Sequence, residues 1–126
     1  MRKAILMALL VAMSSSAMAK WVEVGKSKDF IVYFDPATIR KSGNMVKIWT
    51  LHDYKTNQGS IPSYMSATLE REYDCIEKRG QQLFLAFYQK NMGGGATTGK
   101  DTEPSNSLPV ASGTIKETVF KHACGG

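Results

Sequence analysis

The stretch SYMSATLEREYDC, residues 63–75, reads two ways. Its Ala, Leu, Glu and Arg content favours a helix. Its periodicity favours a strand. Met65, Ala67, Leu69, Arg71, Tyr73 and Cys75 alternate with Tyr64, Ser66, Thr68, Glu70, Glu72 and Asp74. Only Tyr64 and Arg71 spoil a clean apolar/polar division, so the strand is the better reading. It places Cys75 on the inward face.

The other cysteine is Cys124, close to the end of the chain. Between them lie QQLFLAFYQK (81–90), a strand apolar on both faces, the Gly-rich loop NMGGGATTGK (91–100), and TEPSNSLPVASG (102–113), a linker with two prolines and no periodicity. TIKETVFKHAC (114–124) reads as a helix. Thr114 and Glu117 form a capping box, and Ile115, Val119, Phe120 and Ala123 share one broad face.

Earlier in the chain, WVEV (21–24) and DFIVYF (29–34) read as strands separated by a turn at Gly25, Lys26 and Ser27. DPATI (35–39) reads as a short helical turn capped by Asp35, with Pro36 at its first position. KSGN (41–44) reads as a turn, MVKIWTLHDY (45–54) as a long strand, and KTNQGSIP (55–62) as a loop.

The first residues set the compartment. Arg2 and Lys3 precede the apolar run AILMALLVAM (4–13), and Ala17-Met18-Ala19 supplies small residues for cleavage. This is the pattern of a secretory signal peptide, too short for a transmembrane helix, which needs about 20 residues. Residues 1–19 are expected to be removed, leaving one domain over 20–126. No cysteine follows the apolar core, so no lipid anchor is expected there. The expected localisation is export, with the periplasm as destination and the cell surface or the medium as alternatives. Export places both cysteines in an oxidising space, and two cysteines allow one pairing. A Cys75–Cys124 bridge closing about 50 residues stabilises by about 4 kcal/mol in the chain-entropy model.

The chain carries a formal net charge of +5, of which Arg2 and Lys3 belong to the leader. The remaining cations are scattered singly or in pairs rather than in the blocks that bind nucleic acid, so no nucleic-acid partner is expected.

The order of residues resembles the surface-adhesin protein E family of Gram-negative bacteria. The likeness runs from Trp21 to Cys124, through YFDPATIRKSGN, VKIWTLHDY, EYDC and the final HAC. It implies an α+β fold: an antiparallel sheet of about six strands with a C-terminal helix tied to it by a disulfide. It also implies a non-enzymatic, adhesin-like binding protein whose partner is a protein, for the founding type host extracellular-matrix proteins. The alternative is a soluble periplasmic structural or accessory protein.

Catalytic motifs do not assemble. Gly94, Gly99 and Lys100 imitate a phosphate-binding loop, but Asp101 stands where a Mg²⁺-binding hydroxyl belongs. His52 and Asp53 are strand neighbours and point to opposite faces. Glu70, Glu72 and Asp74 line one strand face as ordinary solvated carboxylates. No metal, no cofactor and no enzyme activity are expected. Trp21 and Trp49 are expected in the core. Because three strands are apolar on both faces and one helix covers only one, the second face is expected to be a homodimer or ligand surface. Its candidate residues are Tyr33, Trp49, Leu51, Phe84 and Tyr88.

Overall fold

The structure is a computed structural model that describes residues 20–60 and 62–125; the expected leader, residues 1–19, lies outside them. Among the described residues, eight strands form a single antiparallel sheet. They are β1 (Val22–Lys26), β2 (Phe30–Phe34), β3 (Arg40–Ser42), β4 (Met45–Gln58), β5 (Tyr64–Asp74), β6 (Arg79–Tyr88), β7 (Thr97–Asp101) and β8 (Leu108–Pro109). One helix follows, α1 (Ile115–Gly125). The main path runs β1-β2-β4-β5-β6-β7, with β3 extending the β4 edge beside β2 and β8 pairing with β6.

Residues 63–75 are a strand, as their period-two pattern requires. β5 pairs with β4 on one side and β6 on the other, so it sits at the centre of the sheet. Register puts Tyr73 opposite Val46 and Arg71 opposite Ile48. These residues share the face that receives α1. There Val32, Val46, Ile48, Tyr73, Val119 and Ala123 form a buried cluster, with Ile115 and Phe120 packed against it. The Tyr73 ring meets Phe120 edge-on at 5.6 Å and lies over Gly80, where an added Cβ would stand 2.7 Å from the ring. A glycine at position 80 is therefore a steric requirement of Tyr73. Cys75 and Cys124 are bonded, with Cα atoms 5.7 Å apart, and tie the last turn of α1 to the end of β5.

The helix begins as its sequence dictates. Thr114 Oγ1 accepts from the Glu117 amide at 3.2 Å. Glu117 reaches back to the Gly113 amide, one residue before the cap, rather than to Thr114 itself. The Asp35 turn also forms. Asp35 is buried and its carboxylate accepts from the Ala37 amide at 3.0 Å. Thr38 Oγ1 in turn accepts from the Trp49 amide at 3.0 Å. The turn thus jogs the chain from β2 to β3 while both keep to the same edge of β4.

Several segments are more ordered than their composition suggests. β4 runs to Gln58, past the expected loop start at Lys55. The Arg40–Ser42 stretch pairs with Met45–Lys47 across a turn at Gly43, whose φ is +60°. Thr97–Asp101, inside the Gly-rich segment, pairs with β6; Gly99 and Lys100 are therefore extended and form no phosphate cradle. The Pro-rich linker is also held. β7 pairs with β6 only from Leu85 to Tyr88, which leaves the earlier β6 edge to the linker. Ser105 and Gln82 exchange bonds there, the Gln82 amide donating to Ser105 Oγ at 2.9 Å and the Ser105 amide to the Gln82 carbonyl at 2.8 Å. Strand edges need partners, and polar linker residues supply them.

Candidate functional site

The sheet presents two surfaces. The first is the face opposite α1. Register aligns Tyr33 with Leu51, Leu51 with Thr68 and Thr68 with Ala86 in one row. Trp49, Glu70 and Phe84 form a second row, and Asp53, Ser66 and Tyr88 a third. Tyr33, Trp49, Leu51, Phe84 and Tyr88 are thereby gathered on one face. Trp49 and Phe84 meet edge-to-face at 5.4 Å although β5 separates their strands, so their rings close over Glu70. Both are half-buried, as are Tyr33 and Tyr88. Trp49, expected in the core, is thus half-buried on this face, and Trp21 is likewise only half-buried.

Leu51 needs a correction, because it is fully buried and offers nothing to a partner. Its cover is the turn Asn91–Gly93. Asp53 Oδ1 accepts from Asn91 Nδ2 at 3.0 Å and from the Met92 amide at 2.8 Å. Ser66 Oγ donates to the Lys90 carbonyl at 2.6 Å and accepts from the Gly93 amide at 2.9 Å. These bonds lay the turn over Leu51, where a Cβ added at Gly93 would stand 3.6 Å from the Leu51 side chain. Met92 takes φ of 56°, a left-handed conformation that the clamp holds in a non-glycine residue. The turn covers one end of the face and leaves the Trp49–Phe84 end open. The sequence reading gave Asp53 and Ser66 no part in holding a loop, since a short polar residue on a strand carries no sign of the loop it will hold.

The second surface is a cleft on the α1 side. A cavity of about 620 Å³ lies between the sheet, the linker and the first turns of α1. Phe30, Val32, Val110, Ile115 and Val119 supply apolar walls, and His52, Arg71, Tyr73, Gln82 and Lys116 supply polar groups. His52 stacks on Phe30 with centroids 5.4 Å apart. Burial, then the charges of Arg71 and Lys116, lower its pKa to about 4, so the imidazole is neutral at ordinary pH. Burial raises the Tyr73 phenol, and its hydroxyl has no hydrogen-bond partner among the described residues. The cleft escaped the sequence reading because the linker that walls it carries no periodic signal. His52 and Asp53 do point to opposite faces, one into the cleft and the other onto the clamp.

Among the described residues no three His, Cys, Asp or Glu side chains cluster as a metal site, and no helix is long and apolar enough to cross a membrane.

Comparison with known proteins agrees with this architecture. The model of the surface-adhesin protein E family matches residues 21–125. Crystal form II of Haemophilus influenzae protein E superposes with a TM-score of 0.64 at 14% identity, covering 86% of this chain and 97% of that one. A second structure of H. influenzae protein E gives a TM-score of 0.63 at 15% identity, with 86% and 92% covered. Protein E from non-typeable H. influenzae gives 0.64 at 14%, with 86% and 79% covered. Among curated proteins none matches significantly in sequence. The structural likeness carries the shared sheet, and the sequence match over nearly the whole described region carries the kinship: this chain belongs to the surface-adhesin protein E family.

Proposed function

We propose that this chain is an exported, non-enzymatic binding protein of the bacterial envelope, and that it engages a host extracellular-matrix protein through the open sheet face. The observation that supports this most is the Trp49–Phe84 pair, two large rings in contact and half-buried beyond the reach of the Asn91–Gly93 turn. Aromatic anchors of this kind dominate protein interfaces because they bury large area at low entropy cost. Tyr33 and Tyr88 flank them, and Lys100, which pairs with Ala86, adds charge nearby. The fold class and family membership favour adhesion over catalysis.

The test uses the disulfide-bonded protein without its leader against a panel of immobilised matrix proteins. Saturable binding to one of them, weakened at least about tenfold by Trp49→Ser with Phe84→Ser, is expected for an anchor pair. Binding unchanged by that double substitution would remove this face from the interface. Concentration-dependent self-association lost in the same variant, with no matrix binding, would assign the face to a second copy instead. Protease digestion on intact cells, with a periplasmic control spared, would support display at the surface, which adhesion to a host protein requires. Protection until the outer membrane is opened would replace adhesion with a periplasmic accessory role.

A further inference from the structure

The cleft between α1 and the sheet differs in chemistry from the open face. Its lining includes Arg71 and Lys116 but no Asp or Glu. The ion pairs among the described residues are Lys26 with Glu23 and Lys121 with Glu117, so Arg71 has no acidic partner within them. Its chain neighbours Glu70 and Glu72 face the other side of the sheet, where Glu70 lies between Trp49 and Phe84. A half-buried guanidinium without a counter-charge is an anion site by charge complementarity, since desolvated charge calls for pairing.

A second, independent observation points the same way. The Tyr73 hydroxyl is buried and donates to nothing among the described residues, although Tyr73 lines the cleft. Buried hydroxyls are ordinarily satisfied, and an orphan is costly unless a ligand supplies the acceptor. The neutral His52 ring, held low by burial, adds a hydrogen-bonding group without a competing charge. The remaining walls, Phe30, Val32, Val110 and Ile115, are apolar. A volume of about 620 Å³ suits a small molecule rather than a peptide segment or protein surface.

We propose that this cleft binds a small amphiphile with one carboxylate head and an apolar body, the carboxylate meeting Arg71 and the Tyr73 hydroxyl and the body lying between the sheet and α1. Gln82 and Lys116 border the head group. The linker over 105–111 forms the outer wall, so the site exists only while its bonds to the β6 edge hold.

The experiment is calorimetric titration of the disulfide-bonded protein with decanoate, decanol and decylammonium below their aggregation concentrations, with amide chemical shifts mapping the site. One-to-one binding is expected, with decanoate about tenfold to a hundredfold tighter than decanol, the range of a charge-assisted hydrogen bond, and decylammonium no tighter than decanol. Shifts should concentrate at Arg71, Tyr73, Val110 and Ile115. Arg71→Gln should abolish the advantage of decanoate and spare decanol. Lys116→Gln, an exposed change that leaves the core alone, should weaken decanoate about threefold. Ala111→Trp, at the exposed rim, should weaken both ligands. Equal affinity for decanoate and decanol would overturn the proposal. So would an Arg71→Gln variant with native melting and unchanged decanoate binding, shifts confined to Trp49 and Phe84, or no saturable binding of either ligand. None of these outcomes depends on the open face binding a protein.

Discussion

On the α1 side of the sheet, Val32, Ile48 and Tyr73 are 2%, 0% and 1% exposed. On the opposite side, Leu51, Ser66 and Ala86 are equally buried, at 0%, 0% and 1%, yet Trp49 and Phe84 one row away are half-open. The two sides differ in how their cover is held. α1 is fixed by a covalent bond and an apolar stripe. The Asn91–Gly93 turn is fixed by hydrogen bonds to two short polar side chains. A helix brings enough apolar surface to bury a whole cluster, whereas a three-residue turn covers one leucine and stops. The comparison teaches that the strands are built for cover on both faces: α1 buries a whole cluster beside the cleft, while the Trp49–Phe84 end of the other face stays half-open.

That contrast can be broken most severely at the disulfide. Cys75→Ser with Cys124→Ser is expected to lower stability by about 4 kcal/mol and the melting temperature by about 20 °C, because the bridged positions lie 49 apart in the chain. Scanning calorimetry checks it, and a loss of only a few degrees would mean that apolar contacts alone dock α1.

A smaller effect comes from His52. Its pKa falls from 6.5 in the unfolded chain to about 4 in the fold. Between those values the unfolded chain binds more protons, so the contribution is complete above pH 6.5 and is lost as pH falls toward 4. The expected loss is about 3 kcal/mol. Urea denaturation across this window should show a slope in the wild type that is smaller in His52→Gln. Equal slopes would mean that the imidazole protonates in place within an open cleft.

The smallest effect sharpens the other face. Asp53→Ala removes two bonds to the Asn91–Gly93 turn, both partly exposed, and should cost about 1 kcal/mol. Hydrogen exchange at Met92 and Gly93 should accelerate while amides of α1 keep their protection. Faster exchange throughout would show that the two covers are energetically coupled.

Much of this architecture was legible residue by residue. Period two across 63–75, the Asp35 cap, the Thr114–Glu117 start of α1 and the pairing of the cysteines each depend on local pattern or simple chemistry. The short strands β3, β7 and β8 were not legible, because RKS, TTGKD and LP carry no apolar alternation and become strands only by completing neighbouring edges. The face assignments along β6 were also hidden. Register skips Leu83, so Gln82 aligns with Arg71 on the cleft side while Phe84 aligns with Glu70 on the open side. A bulge reverses alternation without leaving a mark in composition.

The sequence by itself determined the strand character of the centre, the capped terminal helix, the single cysteine pairing and the family to which the chain belongs. These follow from backbone propensity, side-chain alternation and thiol chemistry, all of which act over a few residues or admit one solution. Only the tertiary structure decided that Leu51 is covered and Trp49 is not, and that a linker without pattern walls a cleft around Arg71. Those outcomes depend on which distant segment reaches which face, and a long-range contact has no local signature.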